Sequence, residues 1–423
     1  SPAAAASPCA ASSPEAPPEA KAPRPAILKA DLAKLQQQLD EERSRLQFFV
    51  FRAKQEAEDA AEAVAHQVGR DTQYYEASPG DACGPAGRFV VEEELGRGVF
   101  ATVYRCRDAE ASGHYAVKFV QANAMMRKAA EKEIRLMGRL CKQAAKQDPE
   151  GAKRMVGLAF FEGFEHEGHL ALVFELMKCD LRTALAKYGR GRGLPLLPEV
   201  RNFGRDLCLA LRALRKIGVI HCDVKPENLL LSLDKASVKL SDFGAAMDMS
   251  ERLRTDYMQP RFYRAPEVML GQPYTTQIDV WSAGVTLFEL AVGRRAFTGK
   301  TNNQMLRQIL QLRGAFTQTF AASGDFATKH FKGTGDFMNA GGDYVVHSAN
   351  PATMPMSMFP ASPSMLPLIE AALKDPPKGV DLSRHQGLVR HFAELLGRCL
   401  EPDPARRILP EAALGLRFFA KGA

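Results

Sequence analysis

Apolar positions along the chain fall into three successive patterns. Leu28, Leu32, Leu35, Leu39, Leu46 and Phe49 recur at three-, four- and seven-residue intervals among Gln, Glu, Lys and Arg. Those intervals repeat one helix face, so an amphipathic helix is predicted over residues 29–68. Glu42 and Glu56 interrupt its seam, which leaves two readings: a coiled-coil or partner-binding helix, or a helix packed on the neighbouring domain or only partly formed. Short runs at 89–95, 102–106, 115–120 and 170–174 are rich in Val, Phe and Tyr and predict strands, with one helix near 126–140. Helical spacing dominates after Pro198. A strand-rich half followed by a helix-rich half predicts an α+β fold.

Composition places the boundaries. Residues 1–25 alternate Pro, Ala and Ser, too poor in large apolar side chains to offset ordering entropy, and read as a disordered tail. The helix is assigned to 26–70 and a linker to 71–88, where Ser78, Pro79, Gly80, Asp81, Gly84 and Pro85 cluster as chain breakers. One folded domain is assigned to 89–420. Within it, residues 314–378 are rich in Gly, Met, Pro and Phe with a poor pattern, which predicts loops with short helices: a tolerated surface insertion, or a docking element.

The 423 residues carry a net charge of +7, a weak pull towards acidic or nucleic-acid-associated partners that a solvated basic surface explains equally well. No direct nucleic-acid site is evident. Eight cysteines are scattered without a Cys-x-x-Cys pair, which argues for a reducing compartment. Neither a signal-peptide block nor an apolar run of about 18 residues occurs, so no membrane span is expected. The chain reads as soluble and intracellular; because it begins at Ser1, a segment upstream of it is left open.

Chemistry concentrates after residue 88. Gly96, Arg97 and Gly98 make a turn between two strand-like runs, where small residues let backbone amides approach an anion. A dinucleotide-binding turn would need a helix next, and Thr102-Val103-Tyr104 reads as strand. Ala101 replaces a third glycine. Lys118 ends the apolar run Tyr115-Ala116-Val117 and requires an acidic partner or a phosphate; Glu133 is the partner chosen, Glu131 the fallback. His221-Cys222-Asp223-Val224-Lys225-Pro226-Glu227-Asn228 supplies a carboxylate, a cation and an amide, and Asp242-Phe243-Gly244 follows. Phosphoryl transfer needs such parts: a carboxylate to orient a hydroxyl, oxygen ligands for a metal, and cations to offset developing charge.

With Ala265-Pro266-Glu267 closing the series, this order and spacing resembles the eukaryotic protein kinase family. The resemblance covers 89–419 and implies a bilobal fold: a small antiparallel lobe over 89–176 and a larger helical lobe over 177–420, with ATP and Mg2+ between them. It makes Asp223 the catalytic base, places Lys225 on the γ-phosphate, gives Mg2+ to Asn228 and Asp242, and lets Lys118, paired with Glu133, hold the α and β phosphates. Leu95, Gly96, Gly98, Val103, Ala116 and Leu230 belong to the implied ATP site. Phe174 is the gatekeeper, Glu175 and Met177 are the hinge residues whose backbone meets adenine, and Asp180 lies near the ribose. Two further matches are architectural: Glu267 with Arg407, and Asp279 anchoring the catalytic loop.

The segment before Ala265 resembles the CMGC group, with Tyr257 a candidate activating phosphotyrosine and Arg261 on the substrate side. Cys222 stands where many kinases carry an arginine that grips the phosphorylated loop, which leaves Arg261 or Arg264 for that task. Pro260 stands where a Ser or Thr is usual, removing a hydroxyl near Asp223. The string Gly299-Lys300-Thr301-Asn302-Asn303 is no phosphate loop, because Gly293 lies one residue too far away. With 178–187 it resembles the splicing branch, the pre-mRNA-processing factor four kinases. That branch implies a serine/threonine kinase acting in the nucleus on spliceosomal or Arg/Ser-rich proteins, a group insert over about 302–390, and a helix-mediated partner through 26–70. Alternatives are a dual-specificity tyrosine-regulated or clock-like kinase, which leaves a cytoplasmic location open, and a pseudokinase scaffold.

Overall fold

The computed structural model describes residues 73–98, 100–157, 161–251, 257–333, 335–339, 352–360, 364–376 and 381–420. The tail expected over 1–25 and the helix expected over 29–68 lie outside them.

The first lobe is built on an antiparallel sheet of β1 (Ala82–Cys83), β2 (Phe89–Arg97), β3 (Ala101–Asp108), β4 (His114–Val120), β5 (Phe161–His166) and β6 (His169–Glu175). Its order is β1-β2-β3-β4-β6-β5. The four expected runs became β2, β3, β4 and β6. The strand β5 was not expected, since Phe-Glu-Gly-Phe-Glu-His is short, polar and interrupted by glycine. Helix α1 (Ala124–Gln147) lies between β4 and β5. The Asn123 side chain caps it by accepting from the Met126 N–H, which satisfies one of the orphan donors of the first turn. Met126, Ala130, Leu136, Met137, Leu140 and Ala144 form its buried face. It runs to Gln147, past the expected end, because the Ala-rich final turns favour helix while adding little to the apolar pattern.

Residues 73–88, read from sequence as a linker, are folded onto this sheet. Tyr75 is buried and stacks on Phe119 at 4.0 Å between ring centroids. The Tyr104 hydroxyl donates to the Tyr75 carbonyl at 3.1 Å, and β1 pairs with Phe89 and Val90. The breakers therefore make turns rather than slack. At Gly84, with φ +81°, a Cβ would come within 2.9 Å of the Phe89 ring, so glycine is required there.

In the second lobe, β7 (Cys179–Asp180) leads into α2 (Leu181–Tyr188), and α3 (Arg201–Lys216) follows. Short strands β8 (Val219–Ile220), β9 (Leu229–Leu231), β10 (Val238–Leu240) and β11 (Met247–Asp248) carry the loops of the site. Every residue of α4 (Gln277–Val292) is buried: its apolar positions run all round the helix, and its polar Gln277, Asp279, Ser282 and Glu289 are hydrogen bonded. Helices α5 (Asn302–Arg313) and, near the end, α8 (Leu382–Cys399) pack around it.

Between α5 and α8, the segment expected as a surface insertion joins the lobe's core. It holds α6 (Gln318–Ala322), the hairpin β12 (Phe337–Asn339) with β13 (Ala352–Met354), and α7 (Leu366–Ala372). Phe316, Phe320, Phe331, Phe337 and Phe359 are buried together, with Phe331 and Phe337 rings 5.4 Å apart. The Asn303 amide of α5 donates to the Met338 carbonyl at 2.8 Å. Loops with short helices are present as expected, but their aromatic side chains are anchored.

Candidate active site

The roof of the site comes from β2, β3 and β4. Leu95 and Gly96 lie on β2, Val103 on β3, and Ala116 and Lys118 on β4, with Val103 opposite Lys118 and Ala116 opposite Phe174 in register. Gly98 follows at the turn, where its N–H donates to the Ala101 carbonyl at 2.9 Å and its carbonyl accepts from the Tyr74 hydroxyl at 3.2 Å. Arg97 lies over the Tyr74 ring at 5.2 Å and pairs with Glu76 at 3.1 Å. The folded segment before β1 therefore holds the glycine turn from above. It also reaches α1: the Gln73 carbonyl accepts from Ala122 N–H at 3.0 Å, and Gln73 Oε1 accepts from the Asn123 amide at 3.1 Å.

Lys118 Nζ lies 2.9 and 3.3 Å from the two Glu133 oxygens. Glu131, the fallback, pairs with Arg127 on the exposed side of the helix. At the back, Phe174 and Glu175 end β6 and Met177 sits in the crossing to β7. Asp180 pairs in register with Leu230 and caps α2, accepting from the Thr183 N–H at 2.8 Å and hydroxyl at 2.7 Å. Glu175 takes an ion pair from Lys239.

The floor is the catalytic loop. Asp279, on the first turn of α4, accepts from the His221 N–H at 2.7 Å and the Cys222 N–H at 3.0 Å. Burial pushes the Asp279 carboxyl up to about 7, opposed by those two N–H bonds. This anchor holds Cys222 in the left-handed region, φ +67°, a conformation costly for a non-glycine residue. Asp223 is buried, with Lys225 Nζ 3.3 Å from Oδ1. The Asn228 amide donates to Asp223 Oδ2 at 2.8 Å and to its carbonyl at 2.7 Å. The loop is thus internally braced, so the carboxylate has little freedom to leave its orientation.

Ser241 transmits that bracing to Asp242. Its N–H and hydroxyl both donate to the Asn228 carbonyl, at 2.9 and 3.0 Å, and its carbonyl lies 3.0 Å from His221 Nε2. Asp242 follows in the left-handed region, φ +59°. A Cβ on Gly244 would lie 3.2 Å from Asp242 Oδ1 and 4.0 Å from Glu133 Oε2. The Asp-Phe-Gly turn therefore sits directly under α1, bringing Asp242 and the Lys118–Glu133 pair to one site.

The activation segment returns through Gln259, buried at φ +71°. Its amide donates to the Ile278 carbonyl at 2.9 Å and Ser282 Oγ at 2.7 Å, and its Oε1 accepts from the Ala265 N–H at 2.9 Å. Pro260 and the turn Arg261–Tyr263 follow. Arg264 is buried, donates to the Met258 and Gln259 carbonyls, and lies 5.7 Å from the Tyr257 ring. Arg407 and Glu267 form a two-pronged pair at 2.6 and 2.9 Å. The Gly299–Thr301 string serves capping, with Thr301 capping α5, and Phe297 just before it stacks on Trp281 at 5.9 Å.

Sequence reasoning missed two connections. Arg182 on α2 donates to Glu227 at 2.8 Å, to Glu289 of α4 at 2.6 Å and to the Tyr263 hydroxyl at 2.8 Å, tying the catalytic loop to the segment after Pro260. Arg139 on α1 pairs with Asp248 of β11, fixing α1 to the start of the activation segment. Neither carries a local signal, because the partners lie 107 and 109 residues apart.

The protein kinase domain model matches residues 89–419. Serine/threonine-protein kinase prp4 of Schizosaccharomyces pombe is 36% identical over 335 residues, covering 79% of this chain and 67% of that protein. Serine/threonine-protein kinase prpf4B of Dictyostelium discoideum is 29% identical over 332 residues, 78% of this chain and 39% of its own length. Dual specificity tyrosine-phosphorylation-regulated kinase 3 of Rattus norvegicus is 32% identical over 341 residues, 80% of this chain and 55% of that protein. The chain thus spans well under two thirds of these last two relatives. Protein substrates, ATP and a divalent metal follow from the family, and among the described residues no helix is long and apolar enough to cross a membrane. The chain belongs to the protein kinase family, as a serine/threonine protein kinase of the CMGC group related to the Prp4 kinases.

Proposed function

We propose that this kinase transfers the γ-phosphate of ATP to serine and threonine hydroxyls of spliceosomal, Arg/Ser-rich proteins in the nucleus. The carrying observation is the likeness to prp4 across the whole kinase domain. The geometry of the site supports a role for each of its residues. Asp223, fixed by Asn228, orients and accepts the proton of the attacking hydroxyl, while Lys225 beside it offsets charge on the transferring phosphate. Lys118, aimed by Glu133, binds the α and β phosphates beneath the glycine turn. Leu95, Val103, Ala116 and Leu230 enclose the adenine, and the backbone of Glu175 and Met177 reads its edge.

The donor set suits Mg2+: Asp242 offers carboxylate oxygens, and Asn228, whose Nδ2 is committed to Asp223, leaves its amide oxygen as a hard ligand. The metal would supply charge neutralisation on the phosphates. Tyr257 is the activating phosphosite, with Arg264 5.7 Å from its ring and Arg261 in the same segment, since the buried Cys222 is itself no cation. Arg261 also faces the substrate side. The partner contact expected through residues 26–70 lies outside the described residues.

A second reading rests on the relatives named dual-specificity kinases, for which tyrosine is also an acceptor. Transfer of radiolabelled phosphate to an Arg/Ser-rich spliceosomal protein and to a generic basic protein, beside Asp242→Ala, tests the proposal. Preference for the former, lost in the variant, is expected. Equal transfer to both would sink the substrate assignment; nucleotide binding without transfer would favour the scaffold.

A further inference from the structure

Beyond the C-terminal end of α2, Lys187, Arg190 and Arg192 stand around a cavity of about 340 Å³. Its floor is apolar, with Leu194 and Leu196 buried beside Ala291 of α4 and Leu373 beyond α7. His385, buried on α8, holds one wall by hydrogen bonding the Leu373 carbonyl at 2.6 Å. Asp375 is the single carboxylate among the lining residues.

None of these three cations has an acidic partner among the described residues. Nearby in the chain, Arg182, Arg205, Arg212 and Arg215 pair with Glu or Asp, and Arg201 donates to the Ala420 carbonyl. Next to the cavity, Lys187 and Lys235 place their ammonium groups 5.7 and 5.6 Å from the ring of Tyr188. Tyr188 and Leu233, the latter in the same turn as Lys235, are among the few large apolar side chains exposed on the surface, at 42% and 59%. Clustered like charges beside an apolar floor raise the free energy of the isolated surface and lower it when an opposite charge arrives.

We propose that this basic cavity docks an acidic segment of a protein substrate, carrying an apolar anchor residue for the floor. A lone phosphate would leave the apolar floor uncovered. A single strand of nucleic acid would call for a row of stacking aromatics, whereas one tyrosine, flanked by ammonium groups, is present. Helix α2, capped by Asp180, has eight residues, which at 1.5 Å each span about 12 Å. The docked segment therefore lies away from the phosphoacceptor and leaves the cleft open.

The test is fluorescence anisotropy of a Glu/Asp-rich peptide containing one leucine, titrated with the full chain; it needs no catalytic activity and stands apart from the splicing assignment. Arg190→Glu/Arg192→Glu should weaken binding at least tenfold, and Asp375→Asn should tighten it about threefold, both effects shrinking with salt. Lys153→Glu, an exposed charge reversal elsewhere, should change nothing. Joined to a phosphoacceptor sequence, the acidic segment should lower KM in the wild type but not in the double variant, with kcat and the KM for ATP unchanged. Equal peptide binding by wild type and double variant overturns the proposal, as does an equal loss in Lys153→Glu. Binding of a single-stranded RNA oligonucleotide in place of the peptide also overturns it.

Discussion

Two glutamate–cation pairs, one in each lobe, use the same chemistry for opposite ends. In the second lobe, Arg407 and Glu267 are both fully buried, and all five guanidinium donors are used. Nε donates to the Glu401 carbonyl; the two terminal nitrogens donate to Glu267 and to the Gln277 and Pro402 carbonyls. Trp281 lies 5.2 Å below. In the first lobe, Lys118 keeps 23% of its side chain exposed beside a Glu133 that is 7% exposed. A sealed, fully satisfied pair fixes the frame. A pair open towards the cleft can share its cation with a phosphate, so its worth lies in the bound state rather than in folding.

Breaking the sealed pair has the largest expected effect on the fold. Arg407→Ala leaves a buried carboxylate uncompensated and should cost about 3–5 kcal/mol, read as a lower denaturant midpoint at unchanged slope. Glu267→Ala/Arg407→Ala should cost less than the two single changes summed. Lys118→Met inverts the pattern: transfer should fall about 10²–10³-fold, while stability should fall by less than in Arg407→Ala, because Lys118 keeps 23% of its side chain exposed and water can reach the carboxylate left behind. A large stability loss with residual transfer would erase the distinction between the pairs. The smallest effect sharpens it from outside the motif. Tyr74→Phe removes the hydroxyl that holds the Gly98 carbonyl, about 1 kcal/mol, and should raise the KM for ATP about fivefold with kcat unchanged; an equal fall in kcat would place Tyr74 in the chemistry instead.

The residues proposed for catalysis were legible because phosphoryl transfer demands fixed short spacings within loops, and Asp223, Lys225 and Asn228 lie within six residues. Lys118 and Glu133 were readable for a related reason: an apolar strand ending in lysine demands a partner. What escaped was held by contacts remote in sequence. Tyr75 is the second of two adjacent tyrosines ahead of the breakers, and only the sheet face it covers explains it. The phenylalanines of the insert follow no helix or strand period, so their common core was invisible. Gln259 and Arg182 gain their meaning from α4, which lies elsewhere in the chain. Polar networks across elements leave no periodicity, and they brace the parts that the motifs name.

The central claim is that Asp223, held by Asn228 and seated on a loop anchored by Asp279, orients the attacking hydroxyl. Phosphate transfer and ATP affinity measured together for Asp223→Asn test it most directly. The account predicts transfer reduced about 10²–10⁴-fold with ATP affinity unchanged, since the role proposed for Asp223 is towards the acceptor hydroxyl and not the nucleotide. Full transfer in that variant would contradict it.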